Sequence, residues 1–307
     1  MIIKSKRMKK QVIIFIKGIA MGTANVIPGV SGGTIALITG IFERLINALK
    51  SFDLYAIKMI FKGNFREFAN HVDLKFLISL FLGVGVAVIS FAKIFKFLFS
   101  YYPVFIWSFF FGLVFASVYF VGKKIKKWHA GSILLFIAGT AIAIFISIVT
   151  PGAENDNLLY LLLCGVVAIC SMILPGLSGS FVLLLMGNYQ LVMIEAINNW
   201  RFDIIIPIVI GAVAGLISFS HFLSWVLKRF PDSTIAILTG FILGSLGILW
   251  PWKTSIVQTF GEVVKTTGYQ WHLPQINMDF IIALICCASG ILIIYLTETL
   301  AKKSNRE

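Results

Sequence analysis

Charge is scarce in this sequence, and negative charge is scarcer still. Of 307 residues only 13 are Asp or Glu and 26 are Lys or Arg, 13% in all, against roughly 25% in an average soluble domain. With 59% hydrophobic residues, too few polar side chains remain to cover a water-soluble globule, and a disordered chain is excluded by the same figure. Cysteine is rare too. Cys164, Cys170, Cys286 and Cys287 lie inside apolar runs without CxxC spacing, which excludes a disulfide framework. Four scattered histidines offer no metal-ligand spacing, so neither metal nor cofactor is expected. HExxH, GxSxG, Walker and paired-acid motifs are missing, so no enzyme is expected.

What is present is apolar length. Six runs are long enough to cross about 30 Å of hydrocarbon as helix: 76–99, 104–122, 131–149, 204–227, 233–250 and 279–300. Four more, 11–27, 34–49, 158–173 and 181–197, are shorter and form two pairs, each split by a Pro/Gly/Ser stretch. No long alternating pattern argues for strands. The expected fold is an all-α integral membrane protein with six full transmembrane helices and two re-entrant, broken helical hairpins. The N-terminal residues 1–16 have the outline of a secretory signal, but Lys17 interrupts the apolar run and no cleavage pattern follows. The segment is expected to be retained.

The net charge of +13 invites a nucleic-acid reading, but the basic residues sit in short clusters between apolar runs. That is how a membrane protein marks its cytoplasmic side. With the N-terminus placed in the cytoplasm, 19 Lys/Arg fall in inside segments and 3 in outside segments. Both termini are therefore expected in the cytoplasm, with the bilayer and not nucleic acid as the surrounding partner. Sidedness is the same whether each hairpin dips or crosses twice; segments of 16–17 residues broken by Pro-Gly favour dipping.

The two splits are one motif. A shift of 147 places Pro28, Gly29, Ser31, Gly32 and Gly40 on Pro175, Gly176, Ser178, Gly179 and Gly187. A shift of 128 then places Gly83, Pro103, Gly112 and Ser117 on Gly211, Pro231, Gly240 and Ser245. The chain reads as a tandem repeat: 1–150, with hairpin 11–49 and three spans, and 151–307, with hairpin 158–197 and three spans. An odd number of crossings inverts the second half, as in many secondary transporters.

Backbone at membrane depth must satisfy its own polar groups unless it lines a cavity. Each Pro-Gly-x-Ser-Gly break opens a helix whose first N–H groups carry the positive end of the dipole. Ser31, Gly32, Gly33, Thr34, Ser178, Gly179 and Ser180 thus become candidates for holding an anionic group, phosphate above all. The competing reading is small residues for close helix packing. Glu43 and Arg44 lie within the same arm. Arg44 suits a forked phosphate contact and Glu43 a proton-carrying or orienting role, against a snorkelling pair near the surface. Lys17 faces the same choice between anion and snorkelling. Lys93 and His221 are matched repeat positions inside spans, Gln190 is the repeat equivalent of Glu43, and Asn25 is a weaker candidate. Trp and Tyr near span ends read as interfacial anchors.

The stretches GTANVIPGVSGGT at 22–34 and GIFERLI at 40–46, with LPGLSGS at 174–180, resemble the PopT-like polyprenyl-phosphate (undecaprenyl phosphate) translocase family over nearly the whole chain. The sequence departs from that family's pattern at Phe42 and Gln190. The resemblance implies a bacterial plasma-membrane carrier that returns undecaprenyl phosphate from the outer to the cytoplasmic leaflet for reuse in wall synthesis. Its partner would then be a polyprenyl-phosphate lipid, with the seven motif residues cradling the phosphate and Arg44 neutralising it. Two rivals use the same residues: a small-anion channel or ion-coupled anion transporter, and a membrane enzyme acting on a polyprenyl phosphate.

Overall fold

The computed structural model describes residues 2–26, 31–149, 154–260 and 263–304. In the first half, α1 (Ile2–Val26) is followed by two short helices, α2 (Gly32–Ile38) and α3 (Phe42–Lys50), and by a connection folded as α4 (Leu54–Phe61) and α5 (Phe65–His71). Three long helices follow: α6 (Leu74–Tyr101), α7 (Pro103–Gly122) and α8 (Ala130–Ile148). The second half runs α9 (Leu158–Ile173), α10 (Gly179–Leu185), a π-helical turn (Leu191–Glu195) continued by α11 (Ala196–Asn198), then α12 (Phe202–Arg229), α13 (Pro231–Gly244) and α14 (Leu246–Leu249). A hairpin of β1 (Lys253–Phe260) and β2 (Val263–Trp271) precedes the last helix, α15 (Met278–Ser304).

Among the described residues, five helical stretches are long and apolar enough to cross a membrane, and up to seven if two bent pairs each count as one span. The chain is a multi-pass, predominantly helical membrane protein. Large apolar side chains such as Leu82, Ile89, Phe145, Ile210 and Leu292 point outward, as lipid-facing residues do. Pro103 and Pro231 start α7 and α13 directly after the helices α6 and α12 end. Proline is at home there, because the first helical N–H has no partner to lose.

Four helix pairs make the principal contacts: α1 with α6, α9 with α12, α7 with α15 and α8 with α13. Each meets at glycine. A methyl group on Gly18 would collide with the Leu80 carbonyl, and one on Gly83 with the Phe15 carbonyl. The same collisions recur at Gly165 with Ile208 and at Gly211 with Leu162, 147 and 128 residues further on. Gly112 and Gly290 bring α7 onto α15, and Gly139 and Gly240 bring α8 onto α13. Lipid is as apolar as leucine, so such close backbone contact is what holds membrane helices together. The third long helix of each half therefore packs on the second long helix of the other.

The helical membrane fold stands, and the expectation of no strands needs correction. The fold is not wholly α: β1 and β2 pair antiparallel, from Lys253 opposite Trp271 to Phe260 opposite Val263, with an irregularity at Ile256 and Val257. Thr, Val, Ile, Tyr and Trp supply the β propensity, and a search for membrane-length runs passes over two strands outside the spans. The hairpin is tied down by Lys253. Its ammonium donates to the Ile248 carbonyl and lies 3.6 Å from the ring centroid of Trp107 and 4.4 Å from that of Tyr269. The second arm of each hairpin, 34–49 and 181–197, is itself broken. Gly40 (φ +71°) breaks the first between α2 and α3, which meet at 117°, and Gly187 (φ +77°) breaks the second. Only glycine takes such angles freely.

Candidate functional site

The first motif, described from Ser31 on with Pro28 and Gly29 outside the described residues, meets the second. Ser31 caps α2, its Oγ accepting from Gly33 N–H at 3.1 Å, and the same hydroxyl donates to the Leu174 carbonyl at 3.2 Å. Thr34 Oγ1 accepts from Gly176 N–H at 3.1 Å. Both side chains are buried. Gly33 makes the approach possible, since a Cβ there would stand 2.7 Å from the Ile173 carbonyl oxygen. Gly176 (φ +83°) turns the second motif, and a Cβ on it would stand 2.7 Å from the Phe241 carbonyl oxygen. Residues more than 140 apart in sequence thus form one hydrogen-bonded clasp at depth in the protein.

The other end of α2 carries positive charge. Lys17 Nζ donates to the Thr39 carbonyl at 2.6 Å, and Lys124 Nζ donates to the carbonyls of Leu37 and Ile38 at 2.9 and 3.2 Å. A helix ends with unpaired carbonyls and a negative partial charge, so two ammonium groups are well matched to it. They leave this end of α2 strongly basic.

Immediately beyond, the Gly40 bend opens a cavity of about 420 Å³ lined by Glu43, Arg44, Asn47, Ser51, His71 and Asp73. Arg44 Nε donates to Asp73 Oδ2 at 2.7 Å, and its guanidinium lies 4.3 Å from the ring centroid of buried Phe76. The stacking fixes the plane of the fork, while both ionic side chains keep more than a third of their surface exposed, 37% and 38%. Asp73 holds a left-handed backbone (φ +48°) at the start of α6, which turns its carboxylate toward α3. Asn47 Oδ1 accepts from Ser224 Oγ at 2.9 Å, so the cavity wall is pinned to α12.

The family model described as undecaprenyl phosphate translocase-like matches residues 21–267. The chain belongs to that family. It is 40% identical over 265 residues to a polyprenyl-phosphate transporter of Vibrio cholerae serotype O1, covering 86% of this chain and 84% of the relative. It is 31% identical over 271 residues to a polyprenyl-phosphate transporter of Staphylococcus aureus, covering 82% and 91%. No solved structure matches.

Within the family segment lie both motifs, Arg44, Asp73 and Lys124, with Lys17 just before it. Glu43 is exposed on the cavity wall, and the carboxylate that meets Arg44 is that of Asp73. Gln190 donates to Glu195 Oε1 at 2.9 Å on the opposite arm, and Leu191 stands where Arg44 would recur. His221 Nδ1 is 2.9 Å from the Ile217 carbonyl within its own helix. Gly32 and Gly179 are buried in their helix starts, Gly179 with no room for a Cβ beside the Ala168 carbonyl, and Ser178 stands at the N-cap of α10. The side chains of Asn25, Lys93 and Ser180 lie outside the described residues. Sequence reasoning missed Asp73 and Lys124. Both lie in charged connections between spans, where the basic residues mark sidedness and nothing in the sequence points to a partner.

Proposed function

We propose that this chain carries undecaprenyl phosphate from the outer to the cytoplasmic leaflet of the bacterial plasma membrane, and that it does so as a transporter, not an enzyme. The single observation that carries the reading is the position of Arg44, stacked and half-buried in a cavity beside the basic end of α2. The relatives named polyprenyl-phosphate transporters support the lipid class. The recurrence of the same glycine contacts at shifts of 147 and 128, with helices exchanged between halves, supports an inverted repeat of units 1–150 and 151–307. Such a repeat presents one central site alternately to either side. The charge distribution supports cytoplasmic termini.

The mechanism follows from what the donors do now. In this state Ser31 O–H and Gly176 N–H are spent on the facing motif. A phosphate arriving between the motifs accepts from the same donors, so opening the clasp costs hydrogen bonds that the head group returns. Gly32, Gly33, Gly179 and the hydroxyls of Thr34, Ser178 and Ser180 complete this cradle. Arg44 then draws the head group toward the cytoplasmic cavity, with Lys17 and Lys124 beside it. A half-exposed ion pair such as Arg44–Asp73 is worth only about 0–1 kcal/mol. A dianionic phosphate, making charge-assisted bonds worth about 1.5–3 kcal/mol each, displaces Asp73 from the fork. The polyprenyl tail stays in lipid throughout.

The test is purified protein in liposomes carrying a labelled polyprenyl phosphate, followed by loss of accessibility to a membrane-impermeant reagent. Protein-dependent transfer that disappears in Arg44→Ala supports the reading. Inorganic phosphate flux without lipid transfer would turn the same cradle into a small-anion pathway.

A further inference from the structure

The connection between α3 and α6 holds three Lys/Arg and three Asp/Glu, yet it folds into two short helices that turn an apolar face outward. Leu54, Ile57 and Phe61 fall at i, i+3 and i+7 on one side of α4 and are 77%, 47% and 87% exposed. The opposite side, Ala56 and Met59, is buried against the protein. Phe65, at the start of α5, extends the outward stripe and is 66% exposed. Lys58 and Lys62 are exposed beside it.

These side chains do not belong to a span. Eight residues of helix reach about 12 Å, well short of the hydrocarbon thickness. Nor are they a loop free to fold its apolar groups inward. Asp53 Oδ1 caps α4 by accepting from Ala56 N–H at 2.8 Å and lies 3.3 Å from His71 Nε2 at the end of α5. Phe52 packs edge-on to Phe68 at 6.2 Å, and Tyr55 edge-on to His71 at 5.4 Å. The pair is a braced unit that presents a stripe of large apolar groups larger than water tolerates without a partner.

We propose that α4 and α5 lie in the plane of the cytoplasmic leaflet, with Leu54, Ile57, Phe61 and Phe65 at the acyl boundary and Lys58 and Lys62 on anionic lipid head groups. An apolar stripe flanked by lysine is the composition of an interfacial helix, and basic charge complements the anionic surface of that leaflet. Continuity points the same way. The unit begins and ends on membrane helices, and its flanking residues Ser51, His71 and Asp73 line the Arg44 cavity. The inference takes its sidedness from the orientation proposed above but does not depend on which molecule is transported. Its consequence is that the cavity opens beside a shelf that gathers anionic lipid.

The test reads depth, not transport. Full-length Phe61→Cys protein, labelled with an environment-sensitive fluorophore, is reconstituted in liposomes containing brominated phosphatidylglycerol or brominated phosphatidylcholine. The parent chain sets the background from its four cysteines. Lys126→Cys, in an exposed turn, serves as the aqueous reference. We expect brominated lipid to quench the label at residue 61 and iodide to quench it several-fold less than at 126. Lys58→Gln with Lys62→Gln lowers the preference for phosphatidylglycerol roughly thirtyfold, and either substitution alone about fivefold, since each basic residue near the surface contributes about 1 kcal/mol. Iodide quenching at 61 equal to that at 126 would overturn the proposal. So would shielding from both quenchers with spontaneous disulfide-linked dimers of Phe61→Cys, which would make a second copy the occupant. A lipid preference unchanged by the double substitution would remove the lysines from it.

Discussion

Arg44 reaches across from α3 to the first residue before α6, and its Nε meets Asp73 Oδ2 at 2.7 Å. The carboxylate thus occupies a guanidinium whose plane is fixed by Phe76. Under the proposed function an anionic head group would take its place.

Substitutions at this pair should act in opposite directions. Arg44→Ala should slow lipid transfer at least tenfold, as expected from losing charge-assisted bonds worth about 1.5–3 kcal/mol, and Arg44→Lys should fall between because an ammonium cannot fork. Asp73→Asn removes the competitor and should lower the half-saturating lipid concentration. Initial rates in liposomes over a range of lipid loadings separate these outcomes, and equal loss in Arg44→Ala and Asp73→Asn would argue for a merely structural pair.

The clasp between the motifs makes a prediction about stability. Thr34→Val leaves the buried Gly176 N–H without its acceptor and should cost about 1–3 kcal/mol, while Thr34→Ser should recover most of that loss. Thermal unfolding of the purified variants in one detergent gives the comparison.

Two glycines with the same backbone sign should differ in their tolerance. Gly40 (φ +71°) has open space where a Cβ would be, so Gly40→Ala should cost only about 1–2 kcal/mol of left-handed strain. Gly176 (φ +83°) has the Phe241 carbonyl oxygen 2.7 Å from that position, so Gly176→Ala adds a backbone collision to the strain. Monodisperse yield after extraction should therefore be near normal for the first and much reduced for the second.

The β1–β2 hairpin should dock more firmly as pH rises. Burial lowers the Lys253 ammonium to about 7 from 10.5, with the faces of Trp107 and Tyr269 pulling the other way. The undocked lysine thus binds more protons than the docked one between pH 7 and 10.5. Stability rises with pH in that window and is flat below it, where both states are charged. Protease cleavage within 253–271 should slow from pH 7 to pH 10, and Lys253→Met should flatten that dependence.

The spans were legible because lipid imposes a length and a composition that few other environments require. The runs 104–122, 131–149 and 158–173 fall within one residue of α7, α8 and α9, and Pro103 and Pro231 mark where α7 and α13 begin. The paired glycine and proline positions were legible for a similar reason: they answer to backbone geometry, which recurs at fixed spacing. The hairpin was not, since its strands are short and lie outside any long run.

The candidate site divides along the same line. Ser31, Thr34, Gly176 and Arg44 stand out in the sequence because a polar or helix-breaking residue at membrane depth needs a reason. That Thr34 bonds to Gly176, that Lys124 joins Lys17 on the end of α2, and that Asp73 rather than Glu43 meets Arg44 were decided only by the tertiary structure. Neighbours in sequence are set by covalent spacing. Partners 29, 87 or 142 residues apart depend on how glycine-faced helices pack and where the chain bends at Gly40.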